Sequence, residues 1–326
     1  MGKITEQRIA FKPFEYQWAF EAWEKQQNAH WMHTEIPMQS DIKDWELNLT
    51  PNEKHAIGNI LKGFAQTETH VGNYWSSLIP QWFPVPEVKM MAQTFAAFET
   101  IHAVAYSYLN DTLGLDDFAA FLHDEATMNK LARLIDIENQ TNLNLHEKAR
   151  SLAVFSAAAE GIQLYSSFAI LLSFRKSNRL KGISQQMIFS IRDESLHSEA
   201  GCRLYRTLVQ QNPILQTEGH RTEITKAIEL SVQAEIGFID KVFERGDLPT
   251  ISSSDLKNFI RDRANRKMME LGLEPTYNVN MPQLEAMRWF YEYTSGEIQT
   301  DFFANRETQY SKPNPDWHND DVFDND

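Results

Sequence analysis

The chain is 326 residues long, 42% hydrophobic and 23% charged, the balance of a globular protein and not of a disordered one. Its 31 basic residues against 45 acidic ones leave a net charge of −14, which counts against nucleic acid or an anionic membrane as the main partner. Glycine (13) and proline (12) are scarce, disfavouring a many-turned β-protein, and the one cysteine, Cys202, excludes an intrachain disulfide or a cysteine metal cage.

In chain order, the opening Met1-to-Phe14 stretch has no apolar core of a secretory leader, and with so little cysteine a reducing, cytoplasmic location is expected. Helical periodicity then dominates, starting with a helix over about 14–29. Thr50-Pro51-Asn52-Glu53 reads as an N-cap, a proline at the first helical position and a capping-box glutamate. The helix it opens, about 51–79, sets Ile57, Ile60, Leu61, Phe64 and Val71 on one stripe. Pro86 and Glu87 begin another, striped by Met91, Phe95, Phe98, Ala105 and Leu109, which runs to Leu113 with Gly114 as its stop. Further helices fit about 124–141, 145–176, 183–211, 220–246 and 253–271. No long period-2 run calls for a large sheet and no Gly/Ser linker divides the chain, so one all-α domain over 1–303 is expected, followed by a tail over 304–326.

Two of these segments stand out. Ser151 to Phe174 is a 24-residue run with a single charge, Glu160; by length it could span a bilayer, but a helix apolar all round is also the centre of a large soluble bundle. Glu160, Gln163 and five serines favour the bundle, with no membrane as partner, and a lone carboxylate there needs something positive to meet it. Within the tail, Ser311 to Asp326 carries five Asp and one Lys, with Trp317, Val322 and Phe323 as apolar anchors, which suits a segment that orders on a partner.

Acidic and histidine residues recur in a pattern no core needs. Glu68 lies on the apolar stripe of its helix, and Glu99-Thr-Ile-His102 follows on the apolar stripe of the next. Glu160 then Glu194-Ser-Leu-His197 repeat the order. Residues i and i+3 share a helix face, so each Glu-x-x-His aims a carboxylate and an imidazole at one point. Two such helices plus two that give one Glu each supply six ligands, the general template of four-helix di-iron and di-manganese carboxylate sites. Oxygen donors with two imidazoles suit iron and manganese, and two divalent cations would balance four glutamates. A single E-x-x-H is weak; the doubled one points to metal over a structural Glu/His network. Tyr106, one turn after His102, reads as a core tyrosine or as an oxidisable phenol beside that site. His70, two residues from Glu68, points away.

These segments resemble the small, radical-generating subunit of class I ribonucleotide reductase over most of the chain. Phe98-Glu99-Thr100-Ile101-His102 with Tyr106 is similar to that family's ligand and radical-tyrosine segment, and Ile191-Arg192-Asp193-Glu194-Ser195-Leu196-His197 to its second Glu-x-x-His helix. His30-Trp31 with Glu35-Ile36, ahead of Asp44-Trp45, is similar to its N-terminal tryptophan segment, and Asp301-Phe302-Phe303 through Gln309-Tyr310 to the stretch before its docking tail. The resemblance implies a ferritin-like helical bundle with a dinuclear metal site in its four-helix core and extra flanking helices.

By that resemblance the ligands are Glu68, Glu99, His102, Glu160, Glu194 and His197, holding two Fe, Mn/Fe or two Mn. It further implies that O2 or a reduced oxygen species is used to make and store an oxidant, either a radical on Tyr106 or a high-valent metal pair. His102 would bond Asp193 and Asp193 would meet Trp31, giving a path to the surface, which Tyr310 would continue across the subunit interface. A homodimer is implied, active only with a large subunit that binds the ribonucleotide, supplies the thiols and receives the acidic tail. The first ligand departs from the family's commoner Asp, Gly72 stands where the dimanganese group carries a lysine, and Leu164 and Ser190 occupy places more often bulkier, while Phe168 fits. Two alternatives share the metal bundle: an R2-like ligand-binding oxidase, which has no need of Trp31, Asp193 and Tyr310 as a relay, and ferritin-like storage, which has no purpose for the tail.

Overall fold

The computed structural model describes residues 2–115, Met128 and 143–294. The helix expected over 124–141, the tail from 304, Tyr310, Trp317, Val322 and Phe323 lie outside the described residues.

The architecture follows from capped, amphipathic helices. Helix α1 spans Gln17–Asn28, the short α2 Gln39–Lys43, and α3 Pro51–Asn73. As the sequence predicts, the Thr50 side chain accepts from the Glu53 backbone N–H, Glu53 returns the bond, and Pro51 occupies the first turn. The chain then widens into a π-helical segment, Tyr74–Leu78, before a last turn at Ile79–Trp82. Helix α4 runs Pro86–Leu113 and ends on Gly114, whose φ of +66° is the left-handed conformation that glycine adopts at least cost.

The apolar run is one helix in three parts: α5 (Leu145–Val154), a π-helical segment (Phe155–Gln163) and α6 (Tyr165–Ser173). It is long and apolar enough to cross a membrane, yet 94% of its apolar window is buried inside the protein. Helix α7 (Lys181–Gln211) returns beside it, and α8 (Glu218–Val242), α9 (Ser253–Leu271), α10 (Met281–Ala286) and α11 (Arg288–Thr294) complete the described chain. Among the described residues there is no strand, only an isolated bridge between Leu248 and Ile251.

Four of these elements close a ring. Helix α3 packs along α4, α4 meets α7, α7 lies against the π-helical segment and α6, and α6 touches α3. Helix α1 covers α4 and α7 from outside, while α8 and α9 cover the π-helical segment. The result is an all-α, ferritin-like bundle with flanking helices, and its central cavity is lined by the faces that carry the glutamates and histidines.

Candidate metal centre

The six predicted donors arrive from four walls of the bundle. Glu68 comes from α3, Glu99 and His102 from α4, Glu160 from the π-helical segment, and Glu194 and His197 from α7, and all six are at most 1% exposed. Donor atoms of Glu68, Glu99, His102 and Glu194 lie within 4.8 Å of one another, as do those of Glu99, Glu160, Glu194 and His197. The two groups share Glu99 and Glu194, so two carboxylates stand between two ends, one made by Glu68 and His102 and the other by Glu160 and His197. That is the arrangement of a dinuclear metal site.

Seven atoms of this cluster make no hydrogen bond within the protein: both oxygens of Glu68 and of Glu194, Glu99 Oε1, Glu160 Oε2 and His197 Nδ1. Buried polar atoms are otherwise nearly always paired, so seven orphans turned towards one space are donors in want of a cation. The imidazoles say the same. His102 Nε2 donates to Asp193 Oδ2 at 3.2 Å, which leaves Nδ1 facing Glu99 Oε2 at 3.1 Å and Glu194 Oε1 at 3.0 Å. His197 Nε2 donates to Gln26 Oε1 at 3.2 Å and leaves Nδ1 2.7 Å from Glu99 Oε1. Anchoring Nε2 as the donor in both rings aims each Nδ1 at the centre, where a cation would take the place of any proton it carries.

Electrostatics set the cost of leaving the box without cations. At about 4–5 Å and an effective dielectric near 20, each pair of like charges costs roughly 3–4 kcal/mol, and several such pairs would consume the whole ~5–15 kcal/mol that stabilises a domain. Without cations, three of the four carboxyls are therefore pushed towards the protonated form. Burial, then the Glu99 charge, pushes Glu194 up to about 8. Burial and the same neighbour raise Glu68, and burial and Glu194 raise Glu160. Burial would raise Glu99 too, but the imidazoles of His197 and His102 outweigh it and hold it near about 2. Burial opposes the charge on His102, yet Asp193, Glu194 and Glu99 keep that ring well above the ordinary histidine range. A pair of divalent cations would replace those protons and satisfy the orphans together, so the donor set fits a dinuclear centre.

Around the donors, Trp31 Nε1 donates to Asp193 Oδ2 at 2.8 Å, the same oxygen that receives His102, so the three residues are joined in a row. Burial would raise Asp193, but His102, Arg192 and the Trp31 N–H keep it ionised below the usual aspartate range. Trp31 is itself wholly buried against Phe189 at 5.3 Å between ring centroids. The Tyr106 ring lies 6.2 Å from that of His102 and 4.6 Å from that of Phe64, which contacts Phe168 in turn. Its hydroxyl is buried without a hydrogen bond, and burial, then Glu68, lifts the phenol well above its ordinary range.

Two partners escape the sequence pattern. Gln26 bridges His197 and Asp193 Oδ1, the latter at 3.0 Å; its only sequence signal is a polar residue continuing the buried stripe of Ala19 and Ala22. Trp75 Nε1 donates to Glu160 Oε1 at 2.5 Å from the π-helical turn after α3, seven residues beyond Glu68. His70 is half-buried and belongs to neither donor group. Tyr310 lies outside the described residues.

The family model "Ribonucleotide reductase, small chain" matches residues 8–283. A probable ribonucleoside-diphosphate reductase small subunit of Invertebrate iridescent virus 3 is 32% identical over 327 residues, covering 95% of this chain and 86% of that one. The ribonucleoside-diphosphate reductase subunit beta of Chlamydia pneumoniae is 29% identical, over 91% and 88%. Among solved structures, the ribonucleotide reductase R2 subunit from Clostridium botulinum superposes with a TM-score of 0.81 at 21% identity, over 90% of this chain and 94% of that one. A Streptococcus sanguinis protein described as dimanganese(II)-NrdF superposes with 0.76 at 20% identity, over 89% and 100%.

Proposed function

The chain belongs to the ribonucleotide reductase small-chain family, and on that premise we propose the division of labour among its own residues. As a small subunit of class I ribonucleoside-diphosphate reductase it works with a large subunit. Glu68 and His102 would hold one metal, Glu160 and His197 the other, and Glu99 and Glu194 would be shared between them. When bound, the pair supplies one-electron redox chemistry with O2 or a reduced oxygen species. Carboxylate oxygens with two imidazoles suit iron and manganese, as Fe/Fe, Mn/Fe or Mn/Mn.

The remaining residues orient and insulate. Asp193 and Gln26 fix the tautomers of His102 and His197, and Trp75 holds one oxygen of Glu160. Tyr106 is the redox-active phenol. Burial keeps it protonated, so its oxidation removes a proton with the electron, and the Phe64 ring beside it, backed by Phe168, keeps water away. Trp31, Asp193 and His102 form the inner part of the route to the large subunit, and Tyr310 is its outer member. The body over 1–303 forms a homodimer, the acidic tail over 304–326 docks on the large subunit, and the protein works in the cytoplasm.

The observation that carries this reading is the pair of four-donor groups sharing Glu99 and Glu194, with seven donor atoms otherwise unsatisfied. Aerobic reconstitution of the apoprotein with Fe, Mn or both, followed by EPR, tests it. A tyrosyl signal that disappears in Tyr106→Phe together with ribonucleotide reduction supports Tyr106 as the store. Full activity in Tyr106→Phe would refute that assignment and move the oxidant to the metal pair.

A further inference from the structure

Helix α9 plants a cation against the site that no ion pair explains. Arg263 is 9% exposed, and among the described residues no carboxylate pairs with it. A buried guanidinium is costly unless its donors and its plane are both used. Here Nε donates to the Gly161 carbonyl at 3.0 Å, and the guanidinium carbon sits 3.2 Å from the centroid of the Tyr165 ring. Gly161 directly follows Glu160, and Tyr165 opens the α-helix that resumes after the π-helical segment. Arg263 therefore grips that segment on the far side of the turn carrying Glu160.

The grip is tight on the neighbouring sides as well. Ser198 of α7 donates to the Ser156 carbonyl at 2.6 Å, and Tyr165 and Ser195 share a hydroxyl contact at 2.8 Å. A Cβ at position 161 would come within 2.7 Å of Ser198 Oγ and 2.8 Å of Lys267 Cδ, so any larger residue would force those side chains to move. A π-helical turn is rare and marginal on its own, and such turns persist where surrounding contacts hold them, often at functional sites. The backbone that carries Glu160 is thus held from α9 and α7, while Trp75 holds the carboxylate itself.

We propose that Arg263 is a positioning residue: by fixing the π-helical turn through the Gly161 carbonyl and the Tyr165 ring, it sets the place of the Glu160 carboxylate and so the affinity of the metal position built on Glu160 and His197. The inference rests on the assignment of Glu160 as a ligand. Groups that orient a ligand without touching the metal typically account for about 10–100-fold in affinity. The other position takes Glu68 and His102 from α3 and α4 and shares Glu99 and Glu194, none of which lies on the π-helical turn that Arg263 holds, so it should not depend on Arg263.

Titration of the full-length apoprotein with Mn(II), read as free Mn(II) by EPR, separates these claims. The unaltered chain binds two Mn(II); if it does not, the ligand assignment fails and the inference with it. With two bound, Arg263→Gln keeps one affinity within about threefold and weakens the other about 10–100-fold. Arg263→Lys, which retains a donor for the carbonyl but not the stacked plane, falls between the two. Combined with Glu160→Ala, Arg263→Gln adds no further loss, because both act on the same position. Unchanged binding in Arg263→Gln, equal weakening of both positions, or additive loss on top of Glu160→Ala would each overturn the proposal. Should Arg263→Gln fail to fold, Arg263→Lys carries the same reading: unequal loss at the two positions supports it, and equal loss or none refutes it.

Discussion

Replacing Gln26 by leucine keeps a side chain of similar bulk in the core and removes one amide that serves two masters. Asp193 Oδ1 loses a donor at 3.0 Å but keeps Arg192 Nε and Nη2, both at 3.2 Å. His197 has no such reserve: its Nε2 proton, 3.2 Å from Gln26 Oε1, is left in a site with no exposure to water. An orphaned buried donor costs about 1–3 kcal/mol, and a bond to an ionised group is worth about 1.5–3 kcal/mol, part of which Arg192 recovers. The expected loss is therefore about 2–4 kcal/mol in unfolding free energy of the apoprotein, read by urea denaturation. Without an acceptor on Nε2 the imidazole is no longer held with its Nδ1 lone pair inward, so affinity for one of two Mn(II) should fall about 10–100-fold. A variant within about 0.5 kcal/mol of the parent, with both Mn(II) bound as before, would refute the claim that Gln26 sets the His197 tautomer.

Three other outcomes follow from the same contacts. Trp31→Phe removes the 2.8 Å bond to the ionised Asp193; we expect a stability loss of about 1.5–3 kcal/mol, retained metal content and lost ribonucleotide reduction, and wild-type turnover would take Trp31 off the route. Deleting residues 311–326 should abolish binding to the large subunit while leaving metal content intact, and unchanged binding measured by surface plasmon resonance would remove the tail from the interface. Burial would raise the Glu87 carboxyl, but the Arg8 guanidinium and the Tyr16 backbone N–H hold it below its ordinary range. A carboxyl lowered on folding contributes stability above its unfolded value, near about 4.3, and loses it as pH falls through the folded value. Glu87→Gln should thus be destabilised at pH 7 by a margin that shrinks below about pH 4 in paired denaturation curves, and a margin that does not change with pH would contradict it.

The sequence was most legible where local chemistry and tertiary demand agree. Thr50, Pro51 and Glu53 start α3 where the capping pattern puts them, and Gly114 stops α4, because caps are decided by neighbours in the chain. The six donors were legible because i and i+3 spacing on apolar stripes is visible without knowing how helices pack. Where two elements meet, legibility ends. Helix periodicity cannot show that Tyr74–Leu78 and Phe155–Gln163 widen into π-helical turns, since the extra residue per turn is imposed by packing against other helices. For the same reason Gln26, Trp75 and Arg263 escaped: each is an ordinary residue of its own helix, and only the partner across the interface gives it a role. The tail of α8 shows the converse, a pattern that runs to about residue 246 although the helix ends at Val242, where Phe243 turns into the core.

The net charge of −14 also changes its meaning once the fold is known. Four of those charges, Glu68, Glu99, Glu160 and Glu194, are at most 1% exposed and face one another, so they say nothing about the surface a partner meets. They are instead a demand for two divalent cations, since leaving them ionised and unpaired in one dry cavity would exceed the stability of the fold.

The most direct test of the account is anomalous X-ray scattering from crystals of the full chain grown with Mn(II). Two peaks are predicted, one enclosed by Glu68, Glu99, His102 and Glu194 and the other by Glu99, Glu160, Glu194 and His197. A single peak, or two peaks away from these six side chains, would contradict it.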